Sequence, residues 1–87
     1  MKVYSIFDKK AVVYSPLMTF ENDIYAIREF EHIASSGLIR RYPADFSLYC
    51  VGTYDDKVGL ITAEPVPVFV FDAATFKHDE NVSPISE

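Results

Sequence analysis

Residues 2–7 at the start of the chain sort by alternation, with Val3, Ser5 and Phe7 on one side of an extended backbone and Tyr4 and Ile6 on the other. A period of two among β-forming residues predicts a strand. Asp8, Lys9 and Lys10 read as a turn, and residues 11–15, with Val12, Val13 and Tyr14, read as a returning strand that Pro16 stops. The opening of the chain is therefore expected to be a β-hairpin whose turn displays two lysines.

From Phe20 the period lengthens. Phe20, Ile24, Ile27, Phe30 and Ala34 recur at three- and four-residue spacing, while Asp23, Arg28, Glu31 and His32 fall largely elsewhere, which predicts an amphipathic helix. Asn22 is placed to cap it, Asp23 suits the positive end of the helix dipole, and Gly37 reads as a left-handed stop after about three turns. The ring of Pro43 pushes Tyr42 toward extended geometry and ends any helical continuation.

Residues 46–54 return to a period of two, with Phe46, Leu48 and Cys50 on one face and Ser47, Tyr49, Val51 and Thr53 on the other. The run Asp55-Asp56-Lys57-Val58-Gly59 is turn chemistry, and residues 60–63 are the partner strand. Residues 66–71 are apolar at almost every position, but Pro67 has no N–H to donate, which confines them to an edge strand or an arm docked on this sheet or a neighbour's. The fold class expected is α+β: a β-hairpin, one amphipathic helix, a second β-hairpin and an extended C-terminal edge strand or arm, on an antiparallel sheet. Residues 1–71 form one domain in this reading, and residues 72–87 form an acidic, flexible tail too polar to offset its ordering entropy.

Composition narrows the function classes. With 87 residues there is room for one core, which six Tyr and seven Phe can fill. The lone Cys50 cannot close an internal disulfide, and His32 and His78 are too few for a structural zinc, so oligomerisation remains as the common way to stabilise a small chain. A homo-oligomer is expected. A single cysteine fits a reducing compartment, and the absence of a long apolar run at the amino terminus predicts neither secretion nor a membrane partner. The net charge of -5 argues against a generally basic nucleic-acid binder. From residue 64 onward, however, Glu64, Asp72, Asp79, Glu80 and Glu87 face only Lys77, so the rest of the chain is nearly neutral.

No phosphate-binding glycine loop, zinc spacing or nucleophile signature is present, so neither an enzyme nor a cofactor is expected. Asp55 and Asp56 read as solvated turn residues, nothing in the sequence brings Asp45 to Asp55 as an acid and base pair, and Cys50 reads as a small buried hydrophobe. A binding surface is the better prospect. Lys2, Lys9, Lys10, Arg40, Arg41 and Lys57 sit at strand ends and loops, interleaved with Tyr4, Tyr14, Tyr42, Tyr49 and Tyr54, and these are the residue types that neutralise phosphates and stack on unpaired bases. Arg40-Arg41-Tyr42 is the sharpest cluster. A second reading uses Val66, Val68, Phe69, Val70 and Phe71 to add a strand to a partner's sheet.

The run Pro43-Ala44-Asp45-Phe46-Ser47-Leu48-Tyr49, followed by Gly52-Thr53-Tyr54-Asp55-Asp56 and Gly59, resembles the small non-structural protein of gokushoviruses, single-stranded circular DNA phages of the microvirus family. Upstream, Phe7-Asp8, Lys10-Ala11, Tyr14, Pro16, Ala26-Ile27-Arg28 and Phe30 look like the opening hairpin and helix of that family, so the resemblance covers about residues 1–65. It implies a non-structural role in phage genome replication through single-stranded DNA. It also implies location in the host bacterial cytoplasm, absence from the mature virion and a phage replication or assembly protein as a possible partner. It supplies no catalytic residues.

Overall fold

In the computed structural model, which describes residues 1–77, strand β1 (Lys2–Asp8) is paired along both of its edges. One edge meets β2 (Val13–Tyr14) and β3 (Met18–Phe20), the other meets β4 (Phe46–Asp55), and β4 in turn pairs with β5 (Leu60–Asp72). Every pairing is antiparallel, which gives the expected α+β architecture. Between β3 and β4 the chain forms helices α1 (Asp23–Ala34) and α2 (Gly37–Arg41) and a 3-10 turn at Pro43–Asp45.

The first hairpin is longer than its sequence suggests. Pro16 cannot donate to the ladder, and the register steps from Phe7↔Tyr14 to Tyr4↔Met18 around it. Ser15 fills the gap: its N–H donates to the Ile6 carbonyl at 2.8 Å, and its Oγ accepts the Ile6 N–H at 2.9 Å. The Ser5 hydroxyl donates to the Ser15 carbonyl at 2.7 Å. A side chain thus replaces a missing ladder bond, and β3 continues the edge past the proline.

Helix α1 begins where expected, with the Asn22 side chain accepting the Tyr25 N–H at 3.1 Å. Its buried stripe is Ala26, Phe30 and Ala34, at a spacing of four, whereas Ile24 is largely exposed. Two alanines allow close approach to the sheet and Phe30 fills the space between, against Tyr4, Ile6, Leu48 and Cys50. Gly37 does take a left-handed φ of 69°, but it opens α2 instead of a loop.

The apolar segment at 66–71 is not a free arm. It belongs to β5, whose register with β4 jumps from Gly52↔Ala63 to Cys50↔Val68 and leaves residues 64–67 opposite Val51 alone. Pro65 and Pro67 fall inside this bulge and so occupy no register pair. Packed structure also continues beyond residue 71. Asp72 caps a 3-10 turn at Ala73–Thr75, Ala73 is fully buried, and Phe76 packs on Phe30 and Phe71 with ring centroids 5.4 and 5.0 Å apart. The expected tail beyond residue 77 lies outside the described residues.

Two carboxylates tie the elements together. Asp23, in the first turn of α1, accepts from Lys2 Nζ at 2.8 Å and from the Tyr4 hydroxyl at 2.6 Å, which pins the helix start to β1. These bonds, Lys2 first, hold the Asp23 carboxyl below the usual carboxylate range, and the same contact raises Lys2. Burial, reinforced by Asp23, pushes the Tyr4 phenol well up, so it stays neutral. Asp72 accepts from Lys9 Nζ at 3.1 Å, Ser47 Oγ at 3.3 Å and the Ala74 N–H at 3.0 Å. Burial opposes its ionisation, but these donors outweigh burial and it too titrates low.

Depressed native values mean that both carboxylates stabilise the fold above the ordinary pKa of ~3.9 and lose that contribution as pH falls through their native values. A series of thermal melts should show stability declining below about pH 4, and Asp23→Asn should flatten that decline. A second expectation concerns Gly52, where an added Cβ would meet the Thr62 carbonyl oxygen of the facing strand. Gly52→Ala should cost about 1–3 kcal/mol by forcing the hairpin apart, read as a lowered melting temperature. Gly59→Ala has open space at Cβ and only a strained φ of 74°, so it should cost less.

Candidate nucleic-acid interface

The turn between β1 and β2 is built on Asp8, whose Oδ1 accepts the N–H groups of Lys10 and Ala11 at 3.0 and 3.1 Å. This turn projects Lys9 and Lys10 from one end of the sheet. Lys9 is held by structure: its N–H donates to the Asp45 carbonyl, and its Nζ reaches the Ala44 carbonyl at 2.9 Å and Asp72. Lys10 stays exposed and lines a cleft of ≈ 340 Å³ with Asp8, Leu38, Tyr42, Asp45 and Phe46. Leu38 and Tyr42 arrive from α2 and the residue that follows it, so the fold brings the first turn to the Arg40-Arg41-Tyr42 cluster.

Tyr42 is 53% exposed, and its backbone N–H closes α2 on the Leu38 carbonyl at 3.0 Å. Arg41 is exposed in the last turn of the helix, where the dipole favours a cation, and Arg40 beside it is half-buried. An apolar slot with an aromatic wall and the cation of Lys10 in its lining has the features that can accept a flat, unpaired base and a phosphate beside it. Asp8 and Asp45 also line the slot, and their carboxylates repel phosphate from that side.

The remaining sequence candidates lie elsewhere. Tyr4 is fully buried with its hydroxyl committed to Asp23, so it is removed from any stacking role. Lys2 sits beside it, bound to the same carboxylate. Lys57 occupies the β4–β5 turn, at the far end of a ten-residue strand from Asp45 and so roughly 30 Å from the cleft. The same separation keeps Asp45 from Asp55, whose Oδ1 accepts the Lys57 N–H as an ordinary turn residue. Tyr54 lies toward that end, with its backbone paired to Met1.

Tyr49 belongs to a different feature. On the sheet face away from α1, its ring meets Phe7 at 6.1 Å, Tyr14 at 5.9 Å and Phe69 at 5.9 Å, and Phe7 meets Tyr14 at 4.6 Å. This row crosses β2, β1, β4 and β5. Its signal was present in the alternation that set Phe7 opposite to Tyr4, but the role of each face became legible only once the helix had chosen one. Of the residues expected to bind a partner, Val66, Val68 and Phe69 are exposed, whereas Val70 and Phe71 are half-buried against the core.

Among the described residues no cluster of His, Cys, Asp and Glu is placed to hold a metal, and no helix is long and apolar enough to cross a membrane. No curated protein and no solved structure matches the chain. The family model described as Phage ORF5 protein matches residues 1–76, well past Pro65 and through the aromatic Phe76. A match over that much of the chain places it among phage proteins, as a member of the Phage ORF5 protein family.

Proposed function

We propose that this phage protein binds single-stranded DNA without sequence preference during replication of a gokushovirus-type genome. It works as a non-enzymatic component in the host cytoplasm and is left out of the virion. The observation that supports this reading is the cleft in which Lys10 and Tyr42 meet Leu38 and Phe46 between Asp8 and Asp45, with the exposed Arg41 next to Tyr42 in the chain. Cations engage the backbone and the tyrosine supplies a stacking face, a combination that tolerates any base. The negative net charge confines binding to this end of the molecule, so a short footprint of few phosphates is implied.

Strand addition along β5 is the second reading, favoured by its exposed Val66, Val68 and Phe69. Pro65 and Pro67 interrupt the donors of that edge midway, which weakens it as a template.

Titration of a fluorescent oligonucleotide at several salt concentrations tests the first reading. Affinity should fall as salt rises, by ~0.7 in logarithmic slope per phosphate engaged. Lys10→Ala and Arg41→Ala should each lower the slope, and Tyr42→Ala should cost about 1–3 kcal/mol with the slope unchanged. No binding at low salt, or equal binding by all three variants, would exclude the cleft as the site.

A further inference from the structure

Lys9 stands between two residues that line the cleft, Asp8 and Lys10, yet it is not part of the lining. Its N–H continues the β1–β4 ladder by one bond, to the Asp45 carbonyl at 2.8 Å, just past the register pair Asp8↔Phe46. Its Nζ turns instead to the Ala44 carbonyl at 2.9 Å and to Asp72 at 3.1 Å. The cleft has two walls: Asp8 and Lys10 come from the first turn, whereas Leu38, Tyr42, Asp45 and Phe46 come from α2, the 3-10 turn and the start of β4. Both the backbone and the side chain of Lys9 therefore tie the first wall to the second.

The groups that hold Lys9 are themselves fixed. Asp72 also accepts from Ser47 Oγ at 3.3 Å and from the Ala74 N–H at 3.0 Å, as the cap of the 3-10 turn that follows β5. On the second wall, the Asp45 N–H donates to the Tyr42 carbonyl at 3.0 Å, and the Tyr42 N–H donates to the Leu38 carbonyl at 3.0 Å. A pull on Asp45 by Lys9 is thus passed to Tyr42 and Leu38, the two side chains that α2 and its end bring to the cleft. The Lys9 side chain is 41% exposed, so its place is set by these acceptors and not by burial. A phosphate that recruited its ammonium would have to take it from a carboxylate and a carbonyl, whereas Lys10 stays exposed in the lining.

We propose that Lys9 is a positioning residue, a clasp that sets the width of the cleft and the place of Tyr42 relative to Lys10, and that it makes no contact with DNA phosphate. Its effect on binding rests on the single-stranded DNA reading of the cleft, while the clasp itself rests on the bonds above. Two adjacent lysines of one turn then have separate tasks. Lys10 contributes to the salt dependence of binding, because it exchanges counterions for phosphate, and Lys9 does not, because its partner is the same with and without DNA. The end of β5 also gains a role at the cleft, since loss of Asp72 loosens the clasp from the other side.

The full chain carrying Lys9→Met together with Asp72→Asn tests this, because the pair of changes leaves the net charge at -5. Without DNA, amide hydrogen exchange followed by NMR should show the N–H groups of residues 9 and 45 exchanging about three- to tenfold faster than in the parent, while those in the middle of β1 and β4 keep their protection. With a fluorescent oligonucleotide, affinity should fall about three- to tenfold at every salt concentration and the salt slope should not change. A role in stability alone would lower the melting temperature and leave the affinity of the folded protein as it was. Unchanged exchange at residues 9 and 45 overturns the proposal, as does unchanged affinity in a chain whose parent binds, or a slope lowered by ~0.7, the mark of a lost phosphate contact. If the parent binds no oligonucleotide at low salt, the DNA reading fails and the exchange measurement decides on the clasp by itself. Should the double variant not fold, Asp72→Asn alone carries both measurements: a clasp gives faster exchange and weaker binding, whereas a lysine freed to reach phosphate gives tighter binding and a steeper slope.

Discussion

The packing of α1 onto one face of the β1–β4 pair is the constraint from which the rest of the molecule follows. Tyr4, Ile6, Leu48 and Cys50 make the floor and Ala26, Phe30 and Ala34 make the roof, with Phe30 fully buried between them. Removing a buried Phe of this kind typically costs 3–5 kcal/mol, a large share of the stability of any small domain. Because strand side chains alternate, choosing that face commits Ser5, Phe7, Ser47 and Tyr49 to the other. The ends of the packed unit are then fixed by charge: Asp23 joins α1 to the start of β1, and Asp72 with Lys9 joins the end of β5 to the first turn.

This arrangement separates two kinds of surface. Charged and hydrogen-bonding residues gather at the end of the sheet where the first turn, α2 and the Pro43–Asp45 turn meet, because loops must satisfy their backbone groups at the surface. Apolar rings gather on the open face, because the alternation of β1 and β4 sends them there without a second layer to receive them. The separation explains why eleven candidate residues chosen by type did not converge. Lys10, Arg41 and Tyr42 share one end, Tyr49 belongs to the ring row, Lys57 is at the opposite tip, and Tyr4 is inside.

What could be read from the chain divides along the range of the interactions involved. Strands β1 and β4, the Asn22 cap and the Gly59 turn are local, and each was legible from spacing or from one residue's backbone preference. Helix α2 was not, because five residues are too few to show a period and Gly37 reads as a stop whether a loop or a new helix follows. The continuity of β5 was hidden by two prolines that the bulge opposite Val51 absorbs. Arg40-Arg41-Tyr42 stood out as a cluster because its members are adjacent. Lys10 joined them only through a fold that brings residues some thirty positions apart to one cleft, which no local pattern records.

Under the proposed function, a single cleft that engages few phosphates on a chain of net charge -5 would bind weakly, since its few cations work against the repulsion of the rest. A footprint of few phosphates would also make the salt dependence shallow, so the acidic balance of the chain would set both the strength of binding and its response to salt.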